Sequence, residues 1–283
     1  MKYITAKTAV TLALASLLLA ACNLEKEVEI QLPEYEPRYV LECYLEPGQP
    51  YSLLLSRSAP FFAPLPSFDQ DFLREVLEQG ADVAITYNGV EIKLENRLVF
   101  NPVTGKLFNY YSDLQVPYDT INPFDLLITT LDGQTITARA RILPVVPIDS
   151  MVVQFAENDT LARLLTYITD NPNQENFYRR TLHKGSLDSL ALQDFVLNDN
   201  LVDNQVIAFG TFFGFAKGDK VIATIYHLEE QHFKFLESLQ DAEISNGNPF
   251  AQPSPIISNL GGTADALGIF TGLSYDRATI VIE

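Results

Sequence analysis

Tryptophan is absent from this chain of 283 residues, and methionine, cysteine and histidine number only two, two and three. These scarcities narrow the chemistry. A histidine-rich metal cage has little to draw on, and His227 and His232 stand five residues apart, about 140° round a helix, whereas a zinc helix carries its pair four apart on one face. His183 ends a run beside Lys184-Gly185 and is expected to be solvated. Basic residues are also few, at 19 Lys and Arg against 36 Asp and Glu, for a net charge of −17. Phosphate backbones and anionic headgroups are bound through clustered Lys and Arg, and here the densest pair is Arg179-Arg180, so nucleic acid is excluded as a partner.

Active-site signatures are equally sparse. There is no Gly-x-Ser-x-Gly elbow, no Gly-x-Gly-x-x-Gly turn and no Walker loop. Asp199-Asn200-Leu201-Val202-Asp203-Asn204 offers oxygen ligands but lacks the order and the distal Glu of a calcium loop, so it reads as a polar turn. Pairs such as Glu229-Glu230 are too generic to nominate as glycosidase carboxylates. No catalytic residue, metal ligand or cofactor is expected.

What is present begins at the N-terminus. Lys2 and Lys7 precede an apolar stretch from Ala9 to Leu19, too short to span a bilayer, and Leu19-Ala20-Ala21-Cys22 closes it in the manner of a lipobox. Residues 1–21 are read as a lipoprotein signal peptide and Cys22 as the lipidated first residue of the mature chain, several acyl chains giving a stable anchor. Processing removes two lysines and no acid, leaving a net charge of about −19. Cys43 is then the only thiol left, and its setting in Tyr39-Val40-Leu41-Glu42-Cys43-Tyr44-Leu45 suits a small core residue.

Residues 22–37 are acidic and proline-bounded, a tether. Glu25-Lys26-Glu27 is read either as plain spacer or as an acidic signal for the cell surface. From 38 to 143 the text is β-rich, with strands expected over Arg38 to Leu45, Tyr51 to Ser56, Val83 to Tyr87, Val90 to Glu95, Leu107 to Tyr111, Asp125 to Thr130 and Thr135 to Arg141. Asn88-Gly89 and Asp132-Gly133 mark hairpins. Seven short strands with such turns predict an immunoglobulin-like β-sandwich, with a short amphipathic helix over Asp69 to Gln79. Pro144-Val145-Val146-Pro147 is a stiff connector and the expected domain boundary. Residues 148–283 form a second, antiparallel β-rich domain. Its strands are expected over Ser150 to Phe155, Leu164 to Thr169, Phe177 to His183, Gln193 to Leu197, Val206 to Phe213, Lys220 to Tyr226, Leu267 to Thr271 and Ala278 to Ile282. One packed helix, Leu228 to Asp241, presents Phe233, Leu236 and Leu239 to the sheet.

Two loops stand out for partner binding. Ser58 to Phe68 sets Phe61, Phe62 and Phe68 among three prolines, and Asn248 to Pro255 carries Pro249 and Phe250. Each either plugs its own sandwich, the favoured reading, or presents an apolar surface to a partner.

Tyr44-Leu45-Glu46-Pro47-Gly48-Gln49-Pro50-Tyr51-Ser52-Leu53-Leu54-Leu55-Ser56-Arg57-Ser58 resembles the opening segment of domain-of-unknown-function family 4249, lipoproteins of Gram-negative envelopes. Asn248-Pro249-Phe250-Ala251-Gln252-Pro253, Ser258-Asn259-Leu260-Gly261-Gly262 and Leu267-Gly268-Ile269-Phe270-Thr271-Gly272 resemble its closing pattern. Thr263-Ala264-Asp265-Ala266 lengthens a link that is usually tight in the family. The resemblance carries over no catalytic residue. It implies an outer-membrane setting and, because members are often encoded beside TonB-dependent transporters, an accessory or ligand-capture role for such a transporter. The expectation is therefore a non-catalytic lipoprotein anchored at the outer membrane, with the cell surface favoured over the periplasmic face. A structural or adhesive surface protein is the alternative, and a hydrolase with carboxylates between two domains ranks below both.

Overall fold

Runs that alternate apolar and polar residues bury one face of a strand, and from residue 39 onward such runs make strands of most of the chain. The computed structural model describes residues 35–59, 70–102, 105–157, 160–200, 205–246 and 254–283. Cys22, the expected signal peptide, Phe61, Phe62, Phe68, Pro249 and Phe250 lie outside the described residues.

The first group of elements is β1 (Tyr39–Leu45), β2 (Pro50–Arg57), α1 (Gln70–Val76), β3 (Asp82–Tyr87), β4 (Val90–Asn101), β5 (Lys106–Gln115), β6 (Phe124–Thr129) and β7 (Thr135–Ala140). The long strand β4 belongs to two layers. Val90 to Leu94 pair with β3, whereas Glu95 to Asn101 pair with β5 across a register shift between Asn96 and Val99. Such an irregularity bends a strand and lets it turn a corner between packed layers. One layer therefore holds β1, β2 and β5, the other β3, β6 and β7, and β4 joins them. Leu41, Cys43, Leu53 and Leu55 of the first meet Val83, Ile85, Ile128 and Ile136 of the second in a single core. Asn88 and Gly89 take positive φ, 49° and 75°, as the hairpin between β3 and β4 requires.

The second group is β8 (Ile148–Phe155), β9 (Leu161–Thr169), β10 (Phe177–Lys184), β11 (Gln193–Asn198), β12 (Val206–Gly210), β13 (Phe215–Ala216), β14 (Lys220–Leu228), α2 (Glu230–Asn246), β15 (Gly261–Gly262), β16 (Ala266–Gly272) and β17 (Ser274–Val281). One four-stranded sheet runs β11-β10-β14-β17, and β9 carries β8 on one side and β12 and β13 on the other. The fold is thus mainly β, with a near-closed nine-stranded sheet, two smaller sheets and one packed helix.

The end of the chain returns to the first group. β15 pairs with β7 at one edge of the nine-stranded sheet, and β16 pairs in parallel with β1 at the other. Residues 261–272 therefore close a sheet built otherwise from residues 39–140. The Pro144 to Pro147 connector links the two strand groups along the chain, and Pro37–Glu283 make one compact unit.

Several boundaries differ from expectation, each for a local reason. The first helix stops at Val76 because Leu77 bridges Ser56 and Glu78 N–H bonds Leu55 O at 3.0 Å. β14 extends to Leu228, since Tyr226 and His227 keep their partners on β10 and β17, and the helix begins at Glu230. The run expected to reach Phe213 ends at Gly210. There Thr211 Oγ1 accepts the Leu164 N–H at 2.9 Å, and pairing with β9 resumes only at Phe215. His183 is half-buried rather than solvated, with Nδ1 enclosed and unbonded. On α2, His232, Phe233 and Phe235 are buried while Leu239 is 40 % exposed, so the packed face is rotated from the one expected.

Candidate functional site

β10 places two arginines on opposite faces, because neighbouring strand residues point opposite ways. Arg179 faces α2. It holds Asp194 of β11 through two bonds, Nε at 2.7 Å and Nη2 at 2.6 Å, and lies 5.5 Å from the Tyr226 ring centroid. The Asp194 carboxylate beside it raises its pKa further. Arg179 and Asp194 line a groove of about 470 Å³ together with the polar Gln240 and Glu243 and the apolar Val196, Leu236 and Ile244. Ile244 is 72 % exposed there.

Arg180 points the other way, into the interior between the smaller sheets, and is fully buried. Its Nη1 bonds Gln193 Oε1 at 2.6 Å and reaches Gly210 O at 3.4 Å, and Phe195 lies 5.9 Å from its guanidinium. Nε and Nη2 have no partner. Burial pushes its pKa down to about 10. Phe195, paired with Arg180 across the ladder, shares its side of the sheet and packs towards Arg180 and Phe209.

The histidines are spent on packing. His227 Nδ1 bonds Pro144 O at 2.9 Å and its ring stacks on Tyr178, while His232 is buried against the Tyr44 ring, 5.9 Å away, with both ring nitrogens unbonded. Burial and the charges of Arg179 and Lys106 push the His232 pKa down to about 3. Among the described residues no group of three or more His, Cys, Asp or Glu is placed to hold a metal. Asp199, in the segment read as a polar turn, accepts the Asn176 N–H and side-chain amide at 2.9 and 3.0 Å and pins the turn before β10. Cys43 is fully buried, which pushes its thiol pKa far up. No helix among the described residues is long and apolar enough to cross a membrane.

A smaller cavity of about 250 Å³ lies over Leu73, Leu77, Leu98 and Asn109. Asn109 is buried and mimics the missing strand ladder: Oδ1 accepts Leu55 N–H at 2.8 Å, and Nδ2 bonds Leu55 O and Glu78 O at 2.9 and 2.8 Å.

Two of the segments that carried the family resemblance, Ser258 to Gly262 and Leu267 to Gly272, help to close the nine-stranded sheet, and Asn248 to Pro253 lies outside the described residues. Ser258 Oγ bonds Gly268 O at 2.8 Å, and the Asn259 side chain brackets Phe270, donating to its carbonyl at 2.7 Å and accepting its N–H at 3.0 Å. A Cβ on Gly268, which has φ 130°, would overlap the Leu41 carbonyl, and one on Gly272 would overlap that of Arg141. The lengthened Thr263 to Ala266 link carries the chain from the β7 edge to the β1 edge, with Thr263 and Ala264 N–H groups both bonding Thr135 O. Sequence reasoning missed Arg180, although the alternation of Tyr178, Arg180 and Leu182 placed it on an apolar face.

The model of the family described as Domain of unknown function (DUF4249) matches residues 25–279. No curated protein matches the chain. Among solved structures, a chain from a cytokine receptor complex (crystal form 1A) is similar at 7 % identity, covering 85 % of this chain and 95 % of that one, with a TM-score of 0.28. A score of that size carries no argument.

Proposed function

The chain belongs to the DUF4249 family, and from that premise we propose that it is an outer-membrane lipoprotein, anchored through Cys22, that serves a TonB-dependent transporter as a non-catalytic accessory or ligand-capture module. The observation that carries the reading is the sequence Leu19-Ala20-Ala21-Cys22 behind a short apolar run, followed by an acidic tether that ends where the first strand begins. The groove beside Arg179 supports a capture role, since it combines apolar walls with the Arg179–Asp194 pair, Gln240 and Glu243 as polar contacts. We further read β1 to β7 as an immunoglobulin-like sandwich. The strands β1, β2 and β5 facing β3, β6 and β7 follow the order in which A, B and E face C, F and G in that fold.

The test is co-purification. The full chain extracted from outer membranes in mild detergent is expected to bring down a β-barrel transporter, and recovery of the lipoprotein without any barrel contradicts the accessory role.

A further inference from the structure

Strand β11 ends its sheet and pairs with β10 alone among the described residues. Asp199 N–H bonds Asn176 O at 3.1 Å, and bonding alternates along an antiparallel strand. Leu197 and Phe195 therefore turn their backbone groups to β10, while Asn198, Val196 and Asp194 turn theirs outward. An open row of this kind is a template for another strand, and proteins usually guard it with lysine, proline or an unpaired charge. Gln193 to Asn198 contain neither lysine nor proline, and the one charge, Asp194, is held by Arg179.

Asp194 and Val196 also share a face, the one that α2 covers, because side chains alternate with the same period of two. Val196 lines the groove of about 470 Å³ with Leu236, Leu239 and Ile244, of which Leu239 is 40 % and Ile244 72 % exposed. A strand laid against β11 thus places every second side chain beside Val196 and into that groove. Charge there is uneven. Arg179 and Asp194 neutralise each other, whereas Glu243 is exposed and has no ion pair among the described residues. Glu243 stands in the last turn of α2, which holds no basic residue, so the negative end of the helix dipole adds to its charge.

We propose that β11 accepts an added strand from a partner protein, an extended basic segment with an aliphatic side chain seated against Val196, Leu236 and Ile244 and a Lys or Arg reaching Glu243. A second copy of this chain fits less well, because it brings the same net charge of −17. A free peptide also fits less well. Arg179 is the sole cation lining the groove and is already paired, which leaves nothing to hold a terminal carboxylate. The proposal rests on the reading of this groove as a capture surface and names what it captures. Peptide added to the isolated chain tests it without the transporter, so failed co-purification and failed peptide binding are separate results.

The experiment adds short peptides with capped ends to the full chain in detergent and follows hydrogen exchange residue by residue. In the basic probe Thr alternates with Val, Leu and Lys; in the acidic probe Glu replaces Lys. At about ten times its Kd the basic probe is expected to slow exchange of the Asp194, Val196 and Asn198 amides about tenfold. It is expected to bind roughly threefold more tightly than the acidic probe, and a free C-terminus to bring no gain. Glu243→Lys, at an exposed position, inverts the preference. Val196→Pro removes an outward N–H and no bond to β10, and abolishes binding. If Val196→Pro fails to fold, Glu243→Lys and the wild-type exchange pattern decide the matter. Exchange over β11 indifferent to the basic probe, a preference unmoved by Glu243→Lys, or tighter binding of the uncapped peptide overturns the proposal. Protection that needs no peptide and grows with protein concentration assigns the edge to a second copy and overturns it too.

Discussion

Gly268 shows how one residue can limit a fold. Its φ of 130° and the overlap of any Cβ with the Leu41 carbonyl bring two penalties together, backbone strain and a clash with a strand that cannot shift without losing its own partners. Gly268→Ala is predicted to destabilise the protein by more than about 3 kcal/mol, read from urea unfolding followed by circular dichroism. A loss under about 1 kcal/mol would show that β16 can move away from β1. His232 makes a second prediction. Its folded pKa, about 3, lies below the ordinary value of 6.5, so the proton binds the unfolded chain more readily. Stability from a neutral His232 is thus fully present above pH 6.5 and falls as pH drops towards 3, by about 1.4 kcal/mol per unit in the steep range. The neighbours that keep it neutral are Arg179 and Lys106, with Tyr44 against the ring. His232→Phe is predicted to flatten the dependence of Tm on pH between 6.5 and 4.5. A slope unchanged by the substitution would move the acid sensitivity elsewhere.

At the scale of elements, most strands were legible, because a buried face leaves a period of two in any sequence. Leu41, Cys43 and Leu45 alternate with Val40, Glu42 and Tyr44, and β1 follows. What escaped was set by partners far along the chain. The pattern of β14 reads alike to Tyr226 and to Leu228, and only pairing with Phe177 and Ser274 carries the strand through the histidine. β15, two glycines long, has no pattern to read and exists because β7 lies beside it. The candidate groove was illegible for the same reason, since Arg179 and Arg180 look like an exposed basic pair until α2 covers one face of the strand and the sheet of β9 and β12 the other. Side chains that replace ladders are equally hard to foresee. Asn109→Ala removes three bonds and leaves Leu55 N–H, Leu55 O and Glu78 O without that partner, a predicted loss of about 2–4 kcal/mol. Hydrogen exchange should show the loss first over α1 and the end of β2. Uniform protection across the chain after the substitution would refute that placement.

For the whole molecule, the adjacent strands β16 and β17 matter most. β16 completes the nine-stranded sheet and β17 completes the sheet of β14, so eight residues after Ala266 the chain has already joined both parts. Unfolding is therefore predicted to be a single transition, with the same urea midpoint for exchange probes in β1 and in β14. Two separated midpoints would mean that the two strand groups are independent. Ser258, Asn259, Gly262, Gly268 and Gly272, from the segments that resemble the family's closing pattern, hold that sheet closed. We propose above all that this folded unit is held at the outer membrane by lipid on Cys22. Intact-protein mass spectrometry of the chain extracted from purified outer membranes tests it most directly. The expected species is a polypeptide of residues 22–283 carrying a diacylglyceryl group on Cys22; a chain that still begins at Met1, or one that begins at Cys22 or beyond without lipid, would refute the anchor.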